Sequence, residues 1–422
     1  MDHILKRHSE LNEQEGVHVT IPKTVVLCTD IFDEFMNSNE LYQRALSDIP
    51  DEEILQHFLN GRLPMRLLGD LEAFLQVVDR PIAIRSSSLL EDSHYQPFAG
   101  VYSTYMIPYV PDKYERLAML SDAIKAVYAS VFYRSSKDYM TATSNVIDQE
   151  KMAVILQEVV GEQHGVRYYP VISGVARSIN YYPIGDEKPE EGTVNLALGL
   201  GKHIVDGGTS LRICPAHPHQ VLQMSEMDMA LRETQTHFLA LEMQTETACE
   251  TDKDKPTHPI RKHERSMKFS VDDGFNLKKW SVRDAEADGT LQWICSTYDP
   301  LDQCIYDGFY EGRNRKIISF AGVLQHNVFP LPELMQKVLK YGEEEMRRPV
   351  EIEFAVNLHP DKSGEFFLLQ IRPMVDNRME LDEDLTQIPD SECLIRSHSA
   401  IGFGIFNDIQ DIVYVKTKNY NP

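Results

Sequence analysis

Several things are scarce or missing in this 422-residue chain, and each absence removes a class of function. Basic residues are few: 42 Lys plus Arg stand against 65 Asp plus Glu, a formal net charge of −23 at pH 7. A surface that grips nucleic acid or an anionic membrane needs clustered Lys and Arg, so neither is the expected partner. A small phosphate ligand in a local basic pocket stays open. The six cysteines (Cys28, Cys214, Cys249, Cys295, Cys304, Cys393) form no CxxC pair, which reads as reduced thiols of a cytoplasmic protein. The opening MDHILKRHSELNEQEG has no apolar signal core, and no stretch approaches the ~18 apolar residues of a membrane span. There is no Gly-x-Ser-x-Gly elbow and no HExxH, so hydrolase readings have no support. His217 and His219 have no carboxylate near them in sequence, and a zinc site is not expected.

What is present is the composition of a globular protein, 42% hydrophobic and 25% charged, with length for two or three cores. Val25 to Cys28 reads as a strand, and Thr29-Asp30 opens an amphipathic helix through Ile31, Phe32, Phe35 and Met36. Helical spacing continues from Leu41 to about Val78. A strand from Pro81 to Arg85 runs into Ser86-Ser87-Ser88, residues 113–132 have helix spacing, and a buried-type strand from Met152 ends at Gln157-Glu158-Val159-Val160. Alternating helices and strands predict an α/β or α+β fold. Residues 225–250 read as helical, and 251–265 (TDKDKPTHPIRKHER) as an exposed, flexible loop. The stretch 376–392 carries seven acids and one arginine, which predicts an acidic linker over 379–392. Residues 393–422 are too short to bury a core and read as the start of an incomplete following domain.

Three segments carry candidate chemistry. In VEIEFAV, Val350, Ile352, Phe354 and Val356 point one way, Glu351 and Glu353 the other. After a turn-rich loop, FFLLQIR puts Phe367, Leu369 and Ile371 on one face and Gln370 and Arg372 on the other. Paired as a hairpin, the two runs gather two carboxylates, an amide and a guanidinium. Mg²⁺ prefers carboxylate oxygens together with phosphate oxygens, and the arginine fork pairs with phosphate. On the hairpin alone, a solvated face with weak ion pairs is the preferred reading.

The second segment, IAIRSSSLLEDSHYQPFAGVYSTY, places Arg85 before three serines, with Gly100 and Thr104 able to approach a ligand. A polar connection with Arg85 paired to Glu91 or Asp92 is an equal alternative. The third, ALGLGKHIVDGG, has glycines at 199, 201, 207 and 208 but neither the dinucleotide nor the P-loop spacing. Alone it reads as an ordinary loop.

Taken in order, AIRSSSLLEDSHYQPFAGVYSTY, VILQEVV, LGLGKHIVDG and EIEFAV followed by FLLQIRPM resemble the nucleotide-binding domain shared by phosphoenolpyruvate synthase and pyruvate phosphate dikinase. The resemblance covers residues 17 to 378, within a predicted domain of residues 1–378. It implies an ATP-grasp fold, with ATP between two lobes that meet near 157–160 and an open, flexible cleft before ligand arrives. It implies ATP and Mg²⁺ as cofactors. Arg85 matches the family's phosphate-contacting arginine, and Gly100 and Thr104 the loop that closes over the phosphates. Gln157, Glu158 and Val160 match the strand that meets the adenine. Glu351, Glu353 and Gln370 match the Mg²⁺ and ribose or phosphate positions, and Arg372 the phosphate-binding arginine. Arg85 and Arg372 are thereby the implied catalytic residues.

The family's chemistry implies phosphoryl transfer from ATP to a histidine on a separate swivelling domain, with a phosphoenolpyruvate- or pyruvate-binding domain as further partner. Two departures matter. The family's glycine-rich GGK segment and its lysine have no counterpart here, with Lys6 or Lys23 the only nearby substitutes. Ser397-His398-Ser399-Ala400 lacks the glycine pair of the family's phosphohistidine, so His398 is not expected to carry phosphate. The chain is therefore expected to lack full activity alone. An ATP domain of a rifampicin-phosphotransferase-like antibiotic kinase is the alternative enzyme. A non-catalytic nucleotide-sensing module is the alternative outside enzymes, and an acidic scaffold without nucleotide is the bland one.

Overall fold

None of the β-branched runs is long enough to stand alone, and most pair with strands distant in sequence. The computed structural model describes residues 1–13, 16–88, 91, 101–142, 150–243, 267–312, 314–374, 388–396 and 409–414. Over these the chain is mixed α+β. With strands numbered along the chain, one four-stranded antiparallel sheet has the order β2 (Thr24–Leu27), β5 (Ala153–Glu158), β3 (Ile82–Ser87), β4 (Tyr105–Ile107). A six-stranded sheet runs β1 (Val17–Thr20), β17 (Gly364–Pro373), β16 (Val350–Leu358), β8 (Ile172–Arg177), β9 (Thr193–Ala197), β10 (Leu211–Ile213). Its edge pair β1–β17 is parallel and the other pairs are antiparallel. Two smaller sheets are β12 (Leu277–Ser281), β11 (His237–Glu242), β7 (Arg167–Tyr169), β6 (Glu162–His164), and β14 (Cys304–Asp307), β13 (Cys295–Asp299), β15 (Arg315–Ile318).

Two large apolar clusters hold these sheets. The first joins the four-stranded sheet to helices, with Phe32, Phe35, Phe58, Tyr128 and Phe132 at its centre. The helix Lys113–Ser130 starts at Asp112, whose carboxylate accepts from the Tyr114 and Glu115 amides, and it is buried from Met119 to Leu120 and from Asp122 to its end. The helical spacing of 41–78 resolves into three helices, Tyr42–Ala45, Asp51–Asn60 and Met65–Val77. Pro50 and Pro64 sit immediately before the last two, where a missing N–H costs nothing.

The second cluster lies beneath the six-stranded sheet. Ile352, Phe354 and Val356 of β16 meet Leu334, Val338 and Leu339 of the helix Leu331–Met346. Gly174 of β8 makes room there: a Cβ at that position would lie 2.2 Å from Phe354 Cζ.

Two expectations need correction. Of the described part of the 225–250 stretch, residues 225–243, only Met227–Glu233 is α-helix, and His237–Glu242 is a strand paired on both sides. HFLALE is a short apolar run, which periodicity alone does not assign, and its sheet neighbours decide. In the β16–β17 hairpin, Glu353 pairs with Gln370 but Phe354 pairs with Leu368, leaving Leu369 as an extra, bulged residue. The bulge splits the expected apolar face. Phe366 and Leu368 join the lower core with Ile371, while Phe367 lies with Val160 and Ala355 on the other face, against Leu369. The loop 251–265, most of the acidic linker and His398 lie outside the described residues.

Candidate functional site

The upper face of the six-stranded sheet is ordered in rows by strand register. Arg177, Glu351 and Arg372 stand opposite one another across β8, β16 and β17, and the next row is Val175, Glu353 and Gln370. Because side chains alternate with period two, the charged and amide groups of both rows share one face. The row beyond holds Ser173, Ala355 and Phe367.

Arg85 reaches this face from the other sheet. It ends the apolar half of β3, where Ile82, Ala83 and Ile84 are buried and Arg85 is half-buried. Its Nη2 donates to Glu353 Oε2 at 2.8 Å and to Gln370 Oε1, and its Nη1 to Gln157 Oε1 at 3.4 Å. Arg372 Nη2 donates to Glu353 Oε1 at 2.9 Å, and Arg372 Nε lies 3.4 Å from Glu351 Oε1. Arg177 Nε donates to Glu351 Oε2 at 2.7 Å. The result is a continuous ladder, Arg85–Glu353–Arg372–Glu351–Arg177. Burial pushes the Glu353 carboxyl up, but Arg85 and Arg372 outweigh it and hold it below the usual glutamate range. At Arg85 the two sheets are in direct contact.

The remaining expected residues fall into different settings. Gln157 is buried, and its amide donates to Thr24 Oγ1 at 3.2 Å and to the Leu369 carbonyl at 3.1 Å, which fixes the bulge against β5. Glu158 is paired with Lys23, its Oε1 3.2 Å from Nζ. Lys23 also donates to the Val77 carbonyl at 2.6 Å, and Lys6 pairs with Asp2 at the surface. Val160 is buried in the apolar cluster with Ala355 and Phe367. The Thr104 amide donates to Asp273 Oδ2 at 2.8 Å. Gly100 lies outside the described residues. Arg85 is not paired with Glu91, whose carboxylate accepts instead from Ser86 Oγ and the Ser88 amide.

The glycine-rich loop is tied to the Thr104 segment. Lys202, just after Gly201, lies 3.5 Å from Asp273 and 3.2 Å from Asp206. Gly199 turns with φ +89°, and a Cβ there would meet the Leu239 carbonyl at 2.6 Å.

Glu351, Glu353 and Gln370 offer hard oxygen donors on one face, of the kind Mg²⁺ takes with phosphate oxygens. They fit such an ion in chemistry. Among the described residues no three His, Cys, Asp or Glu side chains converge as a metal site, so a bound molecule would have to complete the coordination. His217 pairs with Glu191 at 3.1 Å and belongs to no such group. Sequence reasoning did not name Arg177, Lys202 or Asp273, although Lys202 lies within the glycine-rich run ALGLGKHIVDGG. Arg177 ends an unremarkable SGVAR strand, and only the β8–β16 register sets it beside Glu351. The Asp273 pairing joins segments 71 residues apart.

The family model described as pyruvate phosphate dikinase, AMP/ATP-binding domain matches residues 6–391. A relative, the "Uncharacterized phosphotransferase YvkC" of Bacillus subtilis (strain 168), is 25% identical over 193 residues. That match spans 45% of this chain and 20% of the relative's length.

Proposed function

This chain belongs to the family of the AMP/ATP-binding domain of pyruvate phosphate dikinase, and on that premise we propose that it is the ATP-binding part of a phosphoenolpyruvate-synthase-like phosphotransferase of ATP-grasp architecture. The observation that carries the reading is the meeting of Arg85, Glu353, Gln370 and Arg372 across two sheets. ATP lies between those sheets, its phosphates on the arginine-bearing face and its base against the apolar side formed by Val160, Phe367 and Leu369. Gly100 and Thr104 belong to the segment that covers the phosphates.

Arg85 and Arg372 orient the phosphates by their planar forks and offset charge as the terminal phosphoryl leaves. Glu351, Glu353 and Gln370 would hold Mg²⁺, which when bound neutralises phosphate charge. To free Glu353 for that role, Arg85 shifts from the carboxylate to the phosphates. The acceptor, in our reading, is a histidine on another domain of the parent protein. Reduced thiols at Cys28, Cys214, Cys295, Cys304 and Cys393 support a cytoplasmic setting.

The test is phosphoryl transfer in the full-length parent. With labelled ATP and Mg²⁺, a phosphohistidine is expected to form and to be lost in Arg372→Ala. Nucleotide binding without transfer would favour a sensing module instead.

A further inference from the structure

The ladder holds one more guanidinium than carboxylate. Arg85, Arg177 and Arg372 pair there with Glu351 and Glu353. Both carboxylates are bracketed, Glu353 by Arg85 and Arg372 and Glu351 by Arg372 and Arg177. A divalent cation approaching this face meets three positive groups and no uncommitted carboxylate. An anion meets an excess of positive charge on a face partly screened from water, where charge-assisted bonds are strong.

Arg177 stands apart from the other two. It spends Nε on Glu351, and among the described residues its terminal nitrogens have no hydrogen-bond partner. Its side chain is 41% exposed, against 20% for Arg85 and 23% for Arg372. It therefore lies at the rim of the ladder with two donor nitrogens available to an incoming group.

We infer that Arg177 is a third phosphate-binding residue of this site and that the site takes the nucleotide's phosphates before any divalent cation. The inference rests on the nucleotide reading proposed above. The phosphates first reach the Arg177 rim, then draw Arg85 from Glu353. Only then does an oxygen set suited to a metal exist, made of Glu351, Glu353, Gln370 and the phosphates themselves.

The test is calorimetric titration of the chain with ATP in EDTA, with Mg²⁺ alone, and with both, repeated for Arg177→Gln and Arg177→Lys. Wild type is expected to bind ATP in EDTA and to give no heat with Mg²⁺ alone. Arg177→Gln should weaken metal-free ATP binding about tenfold, the scale of one lost charge-assisted hydrogen bond. Arg177→Lys should recover much of that loss, with melting temperature unchanged in both variants. Wild-type affinity retained in Arg177→Gln would overturn the inference, as would ATP binding that requires Mg²⁺. Failure to bind ATP under any condition would overturn the nucleotide reading and this inference with it.

Discussion

Arg85 on β3 and Glu353 on β16 are 268 residues apart in sequence, yet Nη2 donates to Oε2 at 2.8 Å. This contact, with that of Arg85 to Gln370, joins the four-stranded sheet to the six-stranded one at the point where phosphate is proposed to bind. It sets a competition: a phosphate oxygen that takes Arg85 Nη2 must replace Glu353 or Gln370 there.

Arg85→Lys should therefore lose more than its conserved charge suggests. A lysine cannot reach Glu353, Gln370 and Gln157 together as the planar fork does. ATP affinity should fall about tenfold or more, the cost of lost charge-assisted bonds, as read by calorimetry. Unchanged affinity would remove Arg85 from the phosphate site.

Glu353 predicts an acid sensitivity of defined sign. Its folded-state pKa lies below the ordinary 4.5. The stabilisation it supplies is complete above that value and is lost as pH falls through the lowered one. Glu353→Gln should melt below wild type at pH 7, and the gap should narrow as pH falls below 4.5 and through the lowered pKa. Thermal denaturation across that range checks it, and a gap independent of pH would contradict the assignment.

Glu150 predicts the opposite sign. One of its oxygens is buried without a hydrogen-bond partner, and burial pushes its carboxyl up, against a smaller opposing effect of Ser88. A raised folded-state pKa means that the ionised form costs stability as pH rises through it. Glu150→Gln should raise the melting temperature at pH 7 by about 1–2 °C, and by less at pH 4.

Gly174→Ala tests the packing beneath the site. The added Cβ would overlap the Phe354 ring, which is fully buried and stacked on Phe366 with centroids 5.1 Å apart. Destabilisation of about 1–3 kcal/mol is expected from such overpacking, measured by denaturant unfolding.

Much of this was legible in the chain, and the reasons are local. Thr24–Leu27 and Ile82–Ser87 announce themselves as short β-branched or apolar runs, and the 113–130 helix is marked by the Asp112 cap at its start. The EIE and QIR alternation alone put Glu351, Glu353, Gln370 and Arg372 on one face. The bulge at Leu369 was not legible, because nothing in FFLLQIR marks which residue is extra. The Leu369 carbonyl is instead met by Gln157, from a strand over 200 residues earlier. Arg177 was hidden for a related reason. Its significance lies in a cross-strand register, and register between distant strands is not written in either strand alone.

The most direct measurement is calorimetric titration of ATP with Mg²⁺ into wild type, Arg372→Gln and Arg167→Gln. Arg167 is a control of matched chemistry, since it forms a bidentate pair with Asp288 on a different sheet. Binding that is retained in Arg167→Gln and lost in Arg372→Gln is the predicted result. Equal binding in all three proteins would contradict a nucleotide site on the Arg85–Glu353 face.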